Sequence, residues 1–455
     1  MLRPPLEVAD LIHAAGTTFY ERSRKWFTWL HLKILTAIVC CRTSVLGGHI
    51  DACSRCGRQA ISFNSCRNRH CPKCQSNARD RWLEARRREL LPVCYAHVVF
   101  TLPGQLAPLA LQNKSEIYGL LFRASAETLL TVADDERHLG AEIGFFSVLH
   151  TWNQKLLHHP HVHCVVPAGG LSPDHSRWIG ARPGFFLPVR VLSRVFRGKF
   201  VAGLRELHAA GKLSFHGKLA AWAVPAAFAA MLRELFCFDW VVYAKRPFGG
   251  AEQALRYLGC YTHRVAISNH RLVALEDGEV VFRWRDSAHK NKKRLMRLEL
   301  NEFLRRFFLH VLPTGFVRIR HFGFFAHRRR AKLLPLCFAV LGQAEEQACG
   351  RWRQPSGNSP NALALPAVRR PDGNRGTLHR RRRATASATN RHPASMICSL
   401  SSPTAWSRNR THQNCAPTQK QGLLAPLSQW QRVLFRHSTP LALTCLSHPT
   451  PIQNT

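Results

Sequence analysis

The stretch HHPHVHCVVP, residues 158–167, combines four histidines with the start of a β-branched run. Alternate side chains on a β-strand share one face, so we expect His161 and His163 to project together while Val162 turns into the core. Two imidazoles placed in this way predict a site for a divalent metal ion. His159 falls on the same parity, although the proline that follows it can bend the strand. The alternative is a set of ordinary, partly buried histidines.

On either side of this stretch, β-rich runs alternate with helical runs. AHVVFTLP and GEVVFRW are runs of the first kind, and LNEFLRRFFLHVL is one of the second. The mixture predicts an α+β body, with residues 92–345 as one domain. Residues 1–91 are predicted to form a helical lead-in and a zinc-binding domain. Residues 346–455 are basic and lose the patterning, which predicts a disordered tail; an out-of-frame continuation of the gene would give the same loss.

The charge of the chain indicates the class of partner. Its 455 residues include 65 Lys and Arg against 27 Asp and Glu, a formal charge of +38. So many uncompensated cations favour a polyanion, for which nucleic acid is the default. Hydrophobic residues make up 45% of the chain, which excludes a wholly disordered basic protein. Because we find neither a membrane span nor a secretory signal, we expect a cytoplasmic protein that needs no membrane.

The clustering of cysteines indicates metal binding rather than disulfide bonds, because five of them lie within 22 residues. Two C-x-x-C pairs separated by 14 residues have the spacing typical of a four-cysteine zinc site: Cys53, Cys56, Cys71 and Cys74. Four thiolates leave tetrahedral zinc no open position, so the predicted zinc is structural. Cys66 and His70 are spare donors that could replace one of these ligands or help to form a second site. The alternative is a set of reduced, buried thiols.

A pair of tyrosines carries the predicted chemistry. Tyr257 and Tyr261 are two of only six tyrosines in the chain. On an α-helix they would lie about 40° apart around the axis and about 6 Å apart along it, so either could reach one site. A phenol attacks phosphorus poorly unless a cation stabilises the developing charge, which a histidine-held divalent ion can do. Attack on a DNA phosphodiester would join the protein to the 5′-phosphate while a 3′-hydroxyl departs. The alternative is a pair of aromatic side chains that pack on a core.

Three stretches resemble the two-tyrosine rolling-circle transposases of the insertion-sequence family numbered ninety-one: HTWNQKLLHHPHVHCVVPAGGL, WVVYAKRPFGGAEQALRYLGCYTHRVAISNHRL and VLPTGFVRIRHFG. SCRNRHCPKCQ resembles the zinc-binding domain of the same family. The resemblance covers roughly residues 8–342. These enzymes are HUH endonucleases, named for the pattern of histidine, hydrophobic residue and histidine that residues 161–163 match. The resemblance implies a central antiparallel sheet that carries the histidines, flanking helices, and a helix that presents the tyrosines.

The resemblance also implies roles for single residues. His161 and His163 would ligate a catalytic Mg²⁺ or Mn²⁺, and Tyr257 and Tyr261 would be the nucleophiles. Candidates for a third ligand are His159 and Gln154. Basic residues beside the tyrosines are candidates for binding DNA: Lys245, Arg246, His263 and Arg264. The implied substrate is a single-stranded end of the mobile element, and no small-molecule substrate is expected.

Two other functions are compatible with parts of the sequence. A plasmid or phage replication initiator would use the same nuclease chemistry, and the flanking DNA would distinguish it from a transposase. A non-enzymatic, zinc-dependent DNA-binding regulator would account for the charge and the cysteines. That second alternative leaves the histidine strand and the paired tyrosines as coincidences, so a transposase is the function that we expect.

Overall fold

The computed structural model describes residues 4–52, 59–250, 253, 254, 259, 262, 265–286, 289 and 291–343. Helices in those ranges are α1 (Val8–Ser23), α2 (Trp29–Val39), α3 (Gln75–Arg87), α4 (Ala107–Gln112), α5 (Lys114–Asp134), α6 (Val189–Ala209), α7 (Pro225–Glu234), α8 (Leu300–Leu309) and α9 (His327–Gln343). Strands there are β1 (Gly48–Ala52), β2 (Gln59–Phe63), β3 (Tyr95–Thr101), β4 (Gly144–Trp152), β5 (His158–Pro167), β6 (Gly169–Leu171), β7 (Trp178–Gly180), β8 (Val242–Phe248), β9 (Leu272–Glu276), β10 (Glu279–Asp286), β11 (Lys292–Glu299) and β12 (Ile319–Gly323). The predicted tail, residues 346–455, lies outside the described residues.

A five-stranded sheet occupies the centre of the fold, with the strands in the order β12-β4-β5-β3-β8. Every neighbouring pair in it is antiparallel. Val162, Cys164 and Val166 of β5 are fully buried in one hydrophobic core with side chains of α5 and α6. Since side chains alternate along a strand, the histidines of β5 lie on the other face of the sheet. The structure thus confirms the predicted α+β class and the central antiparallel sheet.

Helix α6 covers the sheet because its apolar residues recur at helical spacing. Leu192, Phe196, Phe200 and Leu204 are all fully buried, and they stand four residues apart along the chain. Residues at this spacing form one stripe on a helix, which packs against the core while the charged residues of α6 face outward. The region from β3 to α7 is therefore held by a single core on one side of the sheet.

A second core joins the N-terminal region to a later part of the chain. Side chains of α1 and α2 pack with β10 and α8, and Cys71 and Cys74 belong to the same cluster. Phe19 of α1, for example, stacks on Phe308 of α8 with ring centroids 5.9 Å apart. This core crosses the boundary predicted near residue 91, so the cysteine-rich region is packed against the rest of the described chain.

Smaller sheets complete the described structure. Strands β9, β10 and β11 form a three-stranded antiparallel sheet, and β1 with β2 and β6 with β7 form two-stranded ones. The described parts of the chain contain no helix with both the length and the apolar composition needed to cross a bilayer.

Candidate metal centres

Three histidines meet on the face of the central sheet opposite α6: His150, His161 and His163. Their candidate donor nitrogens all lie within 4.8 Å of one another. None of the three residues is more than 4% exposed. Ring centroids are 4.5 Å apart for His150 and His163 and 4.8 Å apart for His161 and His163. Three buried imidazoles this close together form a donor set suited to one divalent cation.

The register of the β4–β5 hairpin explains why these histidines meet. His150 of β4 is paired directly with His161 of β5, and directly opposed residues share a face. The turn is closed by the side chain of Asn153, whose Oδ1 accepts hydrogen bonds from the backbone N–H groups of Lys155 and Leu157, each at 2.9 Å. A shift of one residue in this turn would send one partner to the opposite face.

Hydrogen bonds orient two of the three rings. Nδ1 of His161 donates to the carbonyl oxygen of His159 at 2.7 Å, which leaves Nε2 as the nitrogen that can coordinate an ion. Nδ1 of His163 lies 2.9 Å from Nε2 of His97, a buried residue of β3. The rings of His97 and His163 are stacked, with centroids 5.1 Å apart and planes 9° apart. Metal-binding histidines commonly have their second nitrogen fixed in this way.

Electrostatics keep this site neutral when no cation is bound. Burial, followed by the neighbouring His159, lowers the pKa of His161 to about 3. Burial, followed by Lys245 and His161, lowers the pKa of His97 to about 3. Both rings are therefore uncharged near pH 7, and the neutral imidazole is the form that binds a metal ion.

The candidates for a third ligand occupy different places. His159 supplies its carbonyl oxygen to His161 and is not a member of the three-histidine cluster. Gln154 lies in the β4–β5 turn, where its carbonyl oxygen accepts a hydrogen bond from Nη2 of Arg271 at 2.6 Å. Sequence reasoning missed His150 because it considered only the neighbourhood of β5. A hairpin register closed around Asn153 would have brought His150 opposite His161.

Four cysteines form a second candidate centre: Cys41, Cys66, Cys71 and Cys74. Their sulfur atoms all lie within 4.8 Å of one another, and Sγ of Cys74 is 3.5 Å from that of Cys41 and 3.6 Å from that of Cys66. Tetrahedral zinc with Zn–S bonds of about 2.3 Å would place its sulfurs about 3.8 Å apart, so the cluster fits zinc. Cys41 comes two residues after the end of α2, and the other three lie on the loop that leads into α3.

The thiols of this cluster perturb one another strongly. Hydrogen bonds from Cys41, then Cys66 and Cys71, push the pKa of Cys74 far below its usual range. Bonds with Cys41, Cys66 and Cys74 push the pKa of Cys71 far above it. Ionisation of one thiol therefore opposes ionisation of its neighbours, and a cation is needed to hold all four as thiolates. The donor set and its electrostatics both suit a structural zinc ion.

The sequence-predicted zinc ligands are divided by this result. Cys71 and Cys74 lie in the described cluster together with the spare donor Cys66, and Cys41 is a member that sequence reasoning missed. Cys53 and Cys56 lie outside the described residues. The ring of His70 is not part of the cluster; it lines a small cavity with Trp152 and His310.

The predicted nucleophiles and DNA-binding residues are described only in part. Tyr257, Tyr261, His263 and Arg264 lie outside the described residues. Lys245 is half-buried on β8, opposite His97 of β3, and Arg246 is the next residue of the same strand. Lys245 therefore lies one strand away from the strand that carries His161 and His163.

Comparison with known proteins connects these features to one group. A family profile described as "Putative transposase" (Y2_Tnp) matches residues 144–332, and one described as "Transposase zinc-binding domain" (Zn_Tnp_IS91) matches residues 12–102. The chain is 55% identical over 344 residues to "Putative transposase y4qJ" of Sinorhizobium fredii, covering 76% of this chain and 86% of that protein. It is 27% identical over 322 residues to "Transposase for insertion sequence element IS801" of Pseudomonas savastanoi pv. phaseolicola, covering 69% and 75%. No solved structure matches the chain.

Proposed function

Because the chain belongs to the Y2_Tnp transposase family and carries an IS91-type zinc-binding domain, we propose that it nicks and joins single-stranded DNA through a 5′-phosphotyrosine intermediate during rolling-circle transposition. The match to a family of transposases makes DNA the partner and strand transfer the class of reaction. The formal charge of +38 supports a polyanionic substrate. The tyrosine mechanism, the metal dependence and the single-stranded substrate are parts of the proposal.

The observation that carries the proposal is the meeting of His150, His161 and His163 on one buried sheet face. We assign all three as ligands of the catalytic ion, with His150 in the third position. A bound divalent ion would offset negative charge on the scissile phosphodiester. Mn²⁺ suits three imidazoles better than Mg²⁺, because Mg²⁺ strongly prefers oxygen ligands and retains its waters.

The protein's own groups would orient the reactants. His161 is held by the carbonyl of His159 and His163 by His97, so neither ring has to turn when substrate arrives. The phenolic oxygen of Tyr257 or Tyr261 would attack phosphorus in line. One O–P bond to tyrosine forms, the bond from phosphorus to the 3′ oxygen breaks, and that oxygen takes up a proton. The phosphotyrosine conserves the bond energy for joining to a second strand.

Basic residues around the tyrosines would hold the DNA backbone. Lys245 is the described member of this group, and its position beside the histidine strands suits a contact with a phosphate. Arg246 and Arg264 are proposed to extend this surface. The four-cysteine cluster would bind zinc for structural purposes, because four thiolates complete its coordination.

An adduct assay tests the proposed function. Protein is incubated with a labelled single-stranded element end and Mn²⁺, denatured, and examined for a DNA–protein adduct that mass spectrometry maps to a residue. We expect an adduct on Tyr257 or Tyr261 that is lost when both are replaced by phenylalanine. Tyr20→Phe, in α1, is the matched control and should retain the adduct. Absence of any adduct, or an adduct that survives the double replacement, would contradict the proposal.

A further inference from the structure

The cysteine-rich region touches both ends of the segment that contains the two tyrosines. We call residues 254–262 the tyrosine segment; within it the structure describes Ala254, Gly259 and Thr262. One contact runs through α3, which begins directly after Cys74, and the other runs through Arg69 on the loop between Cys66 and Cys71. Both therefore start within a few residues of a cluster cysteine.

The first contact is steric. A β-carbon added at Gly259 would lie 3.1 Å from Cδ1 of Leu83 and 3.7 Å from Cδ of Arg79, both on α3. Ala254 is fully buried in a hydrophobic cluster that Leu83 also joins. Glycine at position 259 thus lets the tyrosine segment approach α3 more closely than any larger residue could without displacing the side chain of Leu83.

The second contact is a chain of hydrogen bonds. The guanidinium of Arg69 donates to the carbonyl oxygens of Pro313 at 2.6 Å and Leu312 at 3.4 Å, and also to that of Phe316. The same loop ends at Arg318, whose Nη2 donates to the carbonyl oxygen of Thr262 at 2.7 Å. Thr262 directly follows Tyr261 in the sequence and is fully buried.

Arg318 also connects this loop to the histidine site. Its carbonyl oxygen accepts a hydrogen bond from the backbone N–H of Leu149 at 3.1 Å, and the next residue of β4 is His150. Burial lowers the pKa of Arg318 to about 10, which still leaves it charged at pH 7. Charged donors make hydrogen bonds roughly twice as strong as neutral ones. One arginine therefore fixes the end of the tyrosine segment relative to the histidine strand.

We propose that the zinc-binding cysteine cluster positions the tyrosine segment relative to the three histidines, with Leu83 and Arg69 as positioning residues. The inference rests on the proposed tyrosine chemistry. Zinc would cross-link the loop 66–74 to Cys41, and the two contacts pass that fixed geometry to Gly259 and Thr262. The cluster then serves catalysis without touching the reacting atoms, in addition to any contact that the region makes with DNA.

A size-swap experiment tests the steric contact in the full chain. Gly259→Leu should slow adduct formation at saturating DNA by about tenfold, because overpacking displaces the segment from α3. Leu83→Ala should restore most of the rate in the double variant, while the affinity for DNA stays unchanged throughout. Gly198→Leu is the matched control, because Gly198 lies on a helix with open space around it. Equal loss in the single and double variants, or loss in the control, would overturn the steric contact.

Hydrogen exchange gives a readout that does not depend on activity. Arg69→Met keeps the side-chain length but removes the donors, and Cys41→Ser removes a zinc ligand. Both should speed exchange in peptides that cover residues 262–267 and 312–318 and leave β5 unchanged. Unchanged exchange in those peptides would overturn the positioning role even if the protein cleaves DNA. If the wild type forms no adduct while exchange responds as expected, the proposed function fails and the structural coupling stands.

Discussion

The histidine cluster and the cysteine cluster reach similar compactness by different means. The histidines lie on adjacent strands whose register fixes their positions, and hydrogen bonds to His159 and His97 orient two of the rings. The cysteines come from a loop and from a residue after α2, and no sheet aligns them. The imidazoles are neutral before an ion binds, whereas four thiolates repel one another without one. We infer that the histidine site is preorganised and that the cysteine site depends on its metal.

The largest effect is expected from the residue that separates the two ways of choosing a third ligand. His150→Ala should slow adduct formation about a thousandfold, because a divalent ion contributes several kcal/mol to such a reaction. His159→Ala should change it little, because His159 uses its backbone carbonyl. Rates measured at saturating Mn²⁺ and DNA decide. Loss in the His159 variant with a normal rate in the His150 variant would reverse the assignment.

A pair of neighbouring cysteines tests the second cluster. Cys41→Ser should release zinc and lower the melting temperature by at least about 5 °C, since metal binding contributes to folding. Cys40→Ser is the matched control: Cys40 is buried beside Cys41 but is not in the cluster. Zinc content by elemental analysis and melting by calorimetry are the measurements. A zinc-free Cys40 variant and a zinc-bound Cys41 variant would contradict the cluster as described.

The cysteines of the first C-x-x-C pair sharpen the same test. If the described four-cysteine cluster is the zinc site, Cys53→Ser and Cys56→Ser should each keep the zinc that the Cys41 variant loses. The zinc content of these variants, purified in parallel, gives the answer. Zinc loss in both would restore the ligand set that the C-x-x-C spacing predicts.

The support behind the histidine site should matter less than its ligands. His97→Phe should weaken Mn²⁺ binding about tenfold, because it removes the group that orients the ring of His163. His97→Gln can still hydrogen-bond and should recover part of the affinity. Titration calorimetry with Mn²⁺ measures both. Equal affinities for the wild type and the phenylalanine variant would show that the sheet alone orients His163.

The smallest effect concerns an ion pair outside both centres. Glu302 of α8 accepts hydrogen bonds from Arg305 and Arg306, and Arg305 is the main cause that lowers its pKa from 4.5 to about 2. A carboxyl whose folded pKa is depressed stabilises the fold above pH 4.5, and this stabilisation is lost as the pH falls towards 2. Glu302→Gln should lower the melting temperature by about 2 °C at pH 7, because the group is partly exposed. The difference from wild type should shrink between pH 6 and pH 3; a constant difference would contradict it.

Local patterns in the sequence predicted what depends on local spacing. The alternation in residues 158–167 predicted that His161 and His163 share a face while Val162 is buried, and the structure has this arrangement. Cys41 and His150 could not be found in the same way, because each reaches its cluster through pairing or packing with residues distant in the chain. The core shared by α1, α2 and α8 was missed for the same reason, since its partners lie almost 300 residues apart.

Anomalous diffraction from crystals grown with Mn²⁺, with data collected on both sides of the manganese and zinc absorption edges, tests both centres at once. We predict a manganese peak coordinated by His150, His161 and His163, and a zinc peak coordinated by Cys41, Cys66, Cys71 and Cys74. A manganese peak elsewhere, or none at the histidines in crystals that show the zinc peak, would contradict the assignment of the catalytic site.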